Sequence, residues 1–476
     1  MYFKNGFYTR YNRHFGETLF NGIPLIKVHE KWYNELSSYK FGGIFHFSTP
    51  ILIVRDPELI KNICTKDFDY FINRLDNELD ENEPFALNLF GLRGQKWKIL
   101  RSKLTPTFTS GKMKVMFHII KEYNRELVKM IDKMNMEKDV LETKELMARY
   151  TTDIISSCIF GLQSNSQNDP NSVFRCMGKK IFNFSLRNLI TTIVQDISPK
   201  IRKILGMNII EKNIIEFFSS IVKNNIKYRE ENNVNKNDFI DLLISLKKEK
   251  ILNFKVNEDT EVKMEFTDDA LTAQCFFFYL AGSETTAGAL TFALYEIAKH
   301  GDIQNILFNE VEKIIDEYEE LTYESLQKMT YLEQVINETL RMYPIAPFLM
   351  RVCNKDYLLD DDTMIEKGTR IIIPIMGLHH DPQYYENPTE FNPENFSKEA
   401  KEQRHRYVYL PFGEGPHINQ KNEVKENDNF EHKRMPSENE EMKLRETKFR
   451  LATCINSSTT TDSHAVLKKH VQRFAK

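Results

Sequence analysis

Four short segments of this chain hold residue types whose spacing can do chemistry. In Ala281-Gly282-Ser283-Glu284-Thr285-Thr286, two small residues precede a carboxylate and a cluster of hydroxyls. Set in the middle of a helix, they open a gap for a flat ligand or dioxygen and place an acid and an alcohol beside it to relay protons. The same residues also suit a kinked, buried helix with satisfied polar groups, because an interior Gly costs about 1 kcal/mol relative to Ala and hydroxyls compete for helix hydrogen bonds. Trp97 and Arg101 stand four apart in Gly94-Gln95-Lys96-Trp97-Lys98-Ile99-Leu100-Arg101. On one helix face they can present an indole N–H and a guanidinium to a single anion, or simply pack as a core tryptophan beside an arginine stem. Glu338 and Arg341, three apart in Glu338-Thr339-Leu340-Arg341, can pair. At a surface such a pair contributes little. The fourth segment runs from Phe391-Asn392-Pro393-Glu394-Asn395-Phe396 to Tyr409-Leu410-Pro411-Phe412-Gly413-Glu414-Gly415-Pro416. Its Phe-Gly-x-Gly-Pro turn can aim backbone N–H groups at an anionic or metal-bound sulfur, and it can equally be a tight loop.

The elements that must carry these segments are mostly helices. Thr267-Asp268-Asp269 supplies a hydroxyl cap and two carboxylates at a helix start. Continued to Lys299, that helix spans roughly 50 Å at 1.5 Å per residue. Asp56-Pro57-Glu58 opens another helix over Leu59, Ile60 and Ile63, after the β-rich stretch Ile44 to Val54. From Lys112 to about Glu231 apolar residues recur at helical spacing, with the Asn-rich run Lys223 to Asn237 read as a solvated connection. Leu332 to Met342 forms a helix that stops before Pro344. Hairpin signals follow: Tyr357 to Leu359, a turn through Asp360-Asp361-Asp362, Met364-Ile365, then a strand from Arg370 to Met376. No internal repeat is present.

Composition narrows the function classes. Over 476 residues the net charge is −3, which gives no reason to expect nucleic acid as a partner. Gly (18) and Pro (16) are few while Phe (34) and Tyr (20) are many, which points to long helices around a large apolar interior. Six cysteines at 64, 158, 176, 275, 353 and 454 form no CxxC, so neither a disulfide framework nor a zinc site is expected. The first twenty residues have no continuous apolar core, and neither a signal peptide nor a spanning helix is expected there. Ala270 to Ala298 is the most apolar stretch, but Gln274 and Glu284 within it favour a buried core helix over a membrane span.

Order and spacing change the meaning of the four segments. Trp-x-x-x-Arg near residue 100, Ala-Gly-x-Glu-Thr-Thr near 285, Glu-x-x-Arg at 338 and Phe-Gly-x-Gly-Pro at 412 together resemble the cytochrome P450 superfamily of haem-thiolate monooxygenases, from about Ile44 to Pro416. Thr105-Pro106-Thr107-Phe108-Thr109-Ser110-Gly111-Lys112-Met113, Ala273-Gln274 and His380-Asp381-Pro382 look like its microsomal branch, whose insect members oxidise plant toxins and insecticides. The resemblance implies a mainly α fold with a smaller β portion, one large domain with haem sandwiched between the helix near 267–299 and the loop near 412. It implies that Trp97 and Arg101 bind a haem propionate, that Arg351 approaches the propionates from the other side, and that Ala281, Gly282 and Phe412 lie against the haem. Glu284 and Thr285 match the acid and alcohol that relay protons. Glu338 and Arg341 match the buried structural pair, with Asn395 where the family has a third, charged partner. His417 falls where the family places a propionate-binding Arg or His. Electrons from NADPH through a separate reductase, a small lipophilic substrate and the cytosolic face of the endoplasmic reticulum membrane are implied likewise. Phe85 to Phe90, Phe182 to Leu189 and Phe276 to Phe278 suit either pocket walls or plain core.

The resemblance then breaks. The family's haem loop puts its cysteine seven residues after the phenylalanine, and seven after Phe412 stands Asn419. No metal ligand is assigned in this chain: the thiolate favours O–O cleavage by pushing electron density onto iron, and an amide cannot replace it. Cys454 lies too far away to serve. The chain therefore divides into a remnant N-terminal segment, 1–43, without the branch's membrane anchor, a monooxygenase fold, 44–416, and a polar tail, 417–476. That tail holds no Gly, Tyr or Trp and 21 charged side chains, a composition that leans towards disorder. A shifted reading frame or retained intron accounts for so abrupt a change, as does a genuine variant that has lost the chemistry. On either account the chain as written is expected to lack monooxygenase activity, the alternative being a haem-free protein that binds lipophilic ligands.

Overall fold

The structure, a computed structural model, describes residues 24–46, 49–75, 83, 85–137, 142–182, 185–257, 260–360 and 363–415. Helices start where the sequence supplies caps. Asp56 accepts from the Leu59 N–H ahead of Pro57–Lys61, and Thr267 accepts from the Ala270 N–H ahead of Asp268–Gly282. Asp238 and Asp241 form a reciprocal capping box at the start of Phe239–Glu249. Among the described residues no helix is long and apolar enough to cross a membrane. The expectations for Asp361-Asp362, His417, Asn419 and the 417–476 tail lie outside the described residues. The described parts of Met1–Asp76 and Phe292–Asn456 form one compact unit, and those of Asn77–Thr291 another.

The first unit is built on a four-stranded sheet in the order Phe41–His46, Thr49–Val54, Arg370–Ile373, Leu349–Val352. Its outer pairs are antiparallel and the middle pair, Thr49–Val54 with Arg370–Ile373, is parallel. Strand alternation sorts the core onto two faces. Ile51, Ile53 and Ile372 meet Val28, Trp32 and Leu36 of the Leu25–Glu35 helix, while Leu52, Val54, Ile371 and Ile373 face Ile60, Ile63, Leu378 and Leu410. The strand expected to reach Met376 ends at Ile373, and Ile375–His379 is a short helix. Pro374 stops the ladder by having no N–H to donate. Gly377 then lies so close to Tyr33 that a Cβ would sit 2.4 Å from its ring.

Beneath this turn, Tyr33 donates to Asp381 Oδ2 at 2.6 Å and Arg55 Nη2 reaches the same oxygen at 3.0 Å. The Arg55 guanidinium lies 4.3 Å from the Tyr33 ring centre and also donates to the Leu36 carbonyl. Three distant stretches thus share one buried carboxylate.

The second unit is mostly helical and carries one two-stranded hairpin, Ile251–Asn257 with Thr260–Glu265, that apolar periodicity did not announce. The Asn-rich run is not wholly a connection: helix Lys212–Glu231 takes its first nine residues. Val222, Ile226 and Arg229 lie on one buried stripe of that helix, and Arg229 is closed off by Asp238 and Asp241. A helical residue whose counter-ions arrive from beyond the helix looks like a solvated charge in sequence.

The long apolar helix is two helices, Asp268–Gly282 and Glu284–Lys299, interrupted at Ser283. Gln274 is fully buried in the first and explains its own polarity. Its amide donates to the Leu87 and Ala270 carbonyls and its oxygen accepts from the Leu89 N–H. Replacing Asp381 with Ala leaves the buried Arg55 without its anion and is expected to destabilise the protein by about 3–5 kcal/mol, read as a lower urea midpoint.

Candidate active site

In the first unit the Glu-x-x-Arg segment is a fully buried ion pair, not a surface one. Glu338 and Arg341 are each 0% exposed. Helix Thr330–Met342 holds them on one face three residues apart, and the fork is bidentate, with Nε to Oε2 at 2.7 Å and Nη2 to Oε1 at 2.8 Å. The remaining guanidinium hydrogens go to the carbonyls of His379, Pro388 and Glu390, so all five donors are used. Glu338 accepts further from the Asn392 N–H at 2.8 Å and from the Asn395 amide at 3.1 Å. Asn395 therefore takes the third place with a hydrogen bond and no charge. Arg404 stands alongside, donating to the Asn395 carbonyl and stacking over Tyr385 and Phe396.

The loop at Phe412 follows directly. Leu410 N–H donates to His379 Nε2 at 3.0 Å, and burial pushes that imidazole down to about 3, so it stays a neutral acceptor. Gly413 and Gly415 adopt φ of +87° and +95°. A Cβ on Gly415 would sit 1.7 Å from the Cys64 carbonyl oxygen, so only glycine fits. Glu414 is buried and meets Arg406 at 3.1 Å. Arg351, only 3% exposed, sends Nη1 to the Met350 carbonyl, while its Nε has no partner. Burial pulls its guanidinium below the usual arginine range, with Cys64 pulling the other way.

The second unit carries Trp97 and Arg101, both buried on helix Gly94–Leu104. Burial alone pulls the Arg101 guanidinium below its usual value. Around the helix interruption, the space beside Gly282 is filled by Ile155, whose Cδ1 would lie 2.4 Å from an added Cβ. Close approach of helix Thr143–Ile155 thus accounts for glycine at this position. Thr285 turns its hydroxyl back to the Ala281 carbonyl, and the buried Ser283 hydroxyl has no partner. Glu284 is ion-paired with Arg175, whose other nitrogen holds Glu145 at 2.9 Å. Arg149 at 2.9 Å and Lys179 at 3.0 Å complete the shell of Glu145. Burial opposes ionisation of Glu145, but these partners outweigh it and hold its pKa at about 2. The sequence reading singled out none of Glu145, Arg149, Arg175 and Lys179; Arg175 reaches Glu284 across a separation of 109 residues.

Haem offers two carboxylates and needs one strong donor to iron. Arg351, a buried cation with an unmatched donor, fits a carboxylate. At the iron the residues do not fit. The counted ligand position is Asn419, whose neutral amide is a poor donor to iron. Of the described cysteines, Cys64 and Cys353 are pushed up to about 11 by burial, and Cys275 is pushed up further still. These remain thiols at neutral pH.

Fold and site together define an oxygenase scaffold of known type, and residues 26–418 match the cytochrome P450 family, to which the chain belongs. It is 41% identical over 391 residues to cytochrome P450 6k1 of Blattella germanica, covering 79% of this chain and 74% of that protein. It is 40% identical over 401 residues to cytochrome P450 6a2 of Drosophila melanogaster, covering 82% and 78%. Similarity to cytochrome P450 9e2 of Blattella germanica is 38% over 407 residues, covering 81% and 76%. These relatives place the chain in the insect branch. The family's enzymes are haem monooxygenases that draw electrons from NADPH through a reductase and act on lipophilic substrates.

Two outcomes follow from the ion pairs. Glu338→Ala strands a fully desolvated Arg341 and is expected to cost about 3–5 kcal/mol in denaturant unfolding. Because the folded pKa of Glu145 lies below its ordinary 4.5, its contribution to stability is complete above that value and is lost as pH falls towards 2. The urea midpoint of the unmodified protein should therefore drop more between pH 5 and pH 3 than that of Glu145→Gln.

Proposed function

We propose that this chain keeps the scaffold of an insect haem monooxygenase but does not assemble the thiolate-ligated haem, and so does not insert oxygen into substrate. One observation carries the reading: Asn419 stands where the iron ligand belongs. An asparagine amide is neutral and a poor iron donor, and it cannot supply the electron density that thiolate gives. Trp97, Arg101 and Arg351 are assigned to the carboxylates of the group for which the scaffold evolved, and Ala281, Gly282, Phe412 and His417 to its rim. Glu284 and Thr285 are assigned as the acid and alcohol of that ancestral chemistry, Glu284 here in contact with Arg175. The buried pair Glu338–Arg341 with Asn395 keeps the fold.

The second reading is a haem-free protein that takes up lipophilic ligands in the retained apolar interior. The buried Phe85 and Phe276, stacked 4.1 Å apart, support it by contributing aromatic side chains to that interior. On either reading the setting is the cytosolic face of the endoplasmic reticulum membrane, where the family's reductase partner works.

Expression followed by a reduced carbon monoxide difference spectrum tests the proposal. The expected result is no Soret band at the thiolate position, and such a band overturns it. A folded, haem-free protein that still binds lipophilic ligands selects the second reading. Sequencing the transcript across the codons for Leu410 to Lys425 shows whether a cysteine codon in another frame restores the loop.

A further inference from the structure

Within the second unit, away from the residues assigned above, lies a cavity of about 560 Å³. That volume is in the range of small-molecule sites. One wall is the segment at Thr105–Phe108 and the first turns of helix Ser110–Glu137, for which the chemistry above has no task. Another is the start of helix Phe239–Glu249 with the loop before it.

Three features make this a built site. First, Thr107 lines the cavity, is 4% exposed, and its hydroxyl has no hydrogen-bond partner. A buried hydroxyl left in that state costs about 1–3 kcal/mol, which an acceptor inside the cavity removes. Second, the charge does not balance. Asp238 and Asp241 both line the cavity, yet both are bound by Arg229, at 2.6 and 2.8 Å. Lys112 is met only by the neutral carbonyl and amide oxygens of Asn237, and the exposed Lys236 has no ion pair among the described residues. The lining holds two lysines and two carboxylates, and Arg229, bound to both carboxylates from outside the lining, brings the local sum to +1. Third, part of the lining is apolar. Val115, Met116 and Ile119 lie on one helix, and Phe239 and Leu242 on the other.

We propose that this cavity binds a single-chain amphipathic carboxylate. Its head accepts the Thr107 hydroxyl hydrogen and balances the lysine charge, and its hydrocarbon chain covers Met116, Ile119 and Leu242. Dispersion and the removal of apolar surface from water supply the affinity, and the head sets the orientation. No iron and no haem enter the argument, so the site stands whether or not the proposal about Asn419 holds.

Calorimetric titration of the full chain with dodecanoate, dodecanol and acetate tests it. Saturable dodecanoate binding is expected, with dodecanol weaker and acetate too weak to saturate. Lys236→Glu, at an exposed position that leaves the fold intact, should raise the dodecanoate Kd at least tenfold without changing the dodecanol Kd. Thr107→Val should raise the dodecanoate Kd about tenfold, and Thr107→Ser should restore it. Absence of saturable dodecanoate binding overturns the proposal. Equal dodecanoate affinity in the unmodified protein, Lys236→Glu and Thr107→Val also overturns it, because the ligand then sits elsewhere in the apolar interior.

Discussion

The first unit depends on one buried guanidinium. Arg341 cannot shed its charge, and desolvating it costs several kcal/mol unless every donor finds an oxygen. The fold meets that demand by bringing three separate stretches to it: Glu338 one helical turn away, the His379 carbonyl, and the backbone from Pro388 to Glu390. Once those carbonyls are held, Asn392 and Asn395 are delivered to Glu338 and the His379 ring is placed to receive the Leu410 N–H. The loop that begins at Phe412 therefore inherits its position from an ion pair seventy residues earlier in the chain. Such a pair adds little net stability over an apolar replacement, and its effect is to specify one arrangement.

That arrangement does not depend on the residue at position 419. Gly415 fits its turn under the Cys64 carbonyl, and the buried Arg351 keeps an Nε without a partner, while position 419 holds an asparagine. Carboxylate-binding cations and the iron ligand are separable because they answer different demands. The first is electrostatic and is met by any well-placed arginine; the second is a covalent donor requirement that a single residue type satisfies. Around Glu284 a comparable economy holds: the arginine that pairs with it, Arg175, also organises Glu145.

Much of the site was legible because spacing within a helix predicts a shared face. Trp97 with Arg101 and Glu338 with Arg341 were both read that way, as were the caps at Asp56 and Thr267. The interruption at Ser283 was foreshadowed by Gly282 and the hydroxyls around it, but the approach of Ile155 that requires glycine at 282 was not. Partners in other elements escaped notice altogether: Arg175 for Glu284, Asp238 and Asp241 for Arg229, and Asp381 for Arg55 and Tyr33. Helical spacing was read to about Glu231, as observed, but Lys223 to Glu231 was also read as part of a solvated connection, since a charge neutralised from outside the helix is indistinguishable from a solvated one in sequence.

By itself the sequence determined the family, the mainly helical class, the order of the motifs and the asparagine at position 419, because these depend on residue identity and local period. Only the tertiary structure decided which charges are buried and by what they are answered. It also decided which glycine is required by a neighbour's approach, and that Thr107 lines a cavity with a hydroxyl to spare. Burial and pairing join residues far apart along the chain, and no local pattern encodes the distance between them.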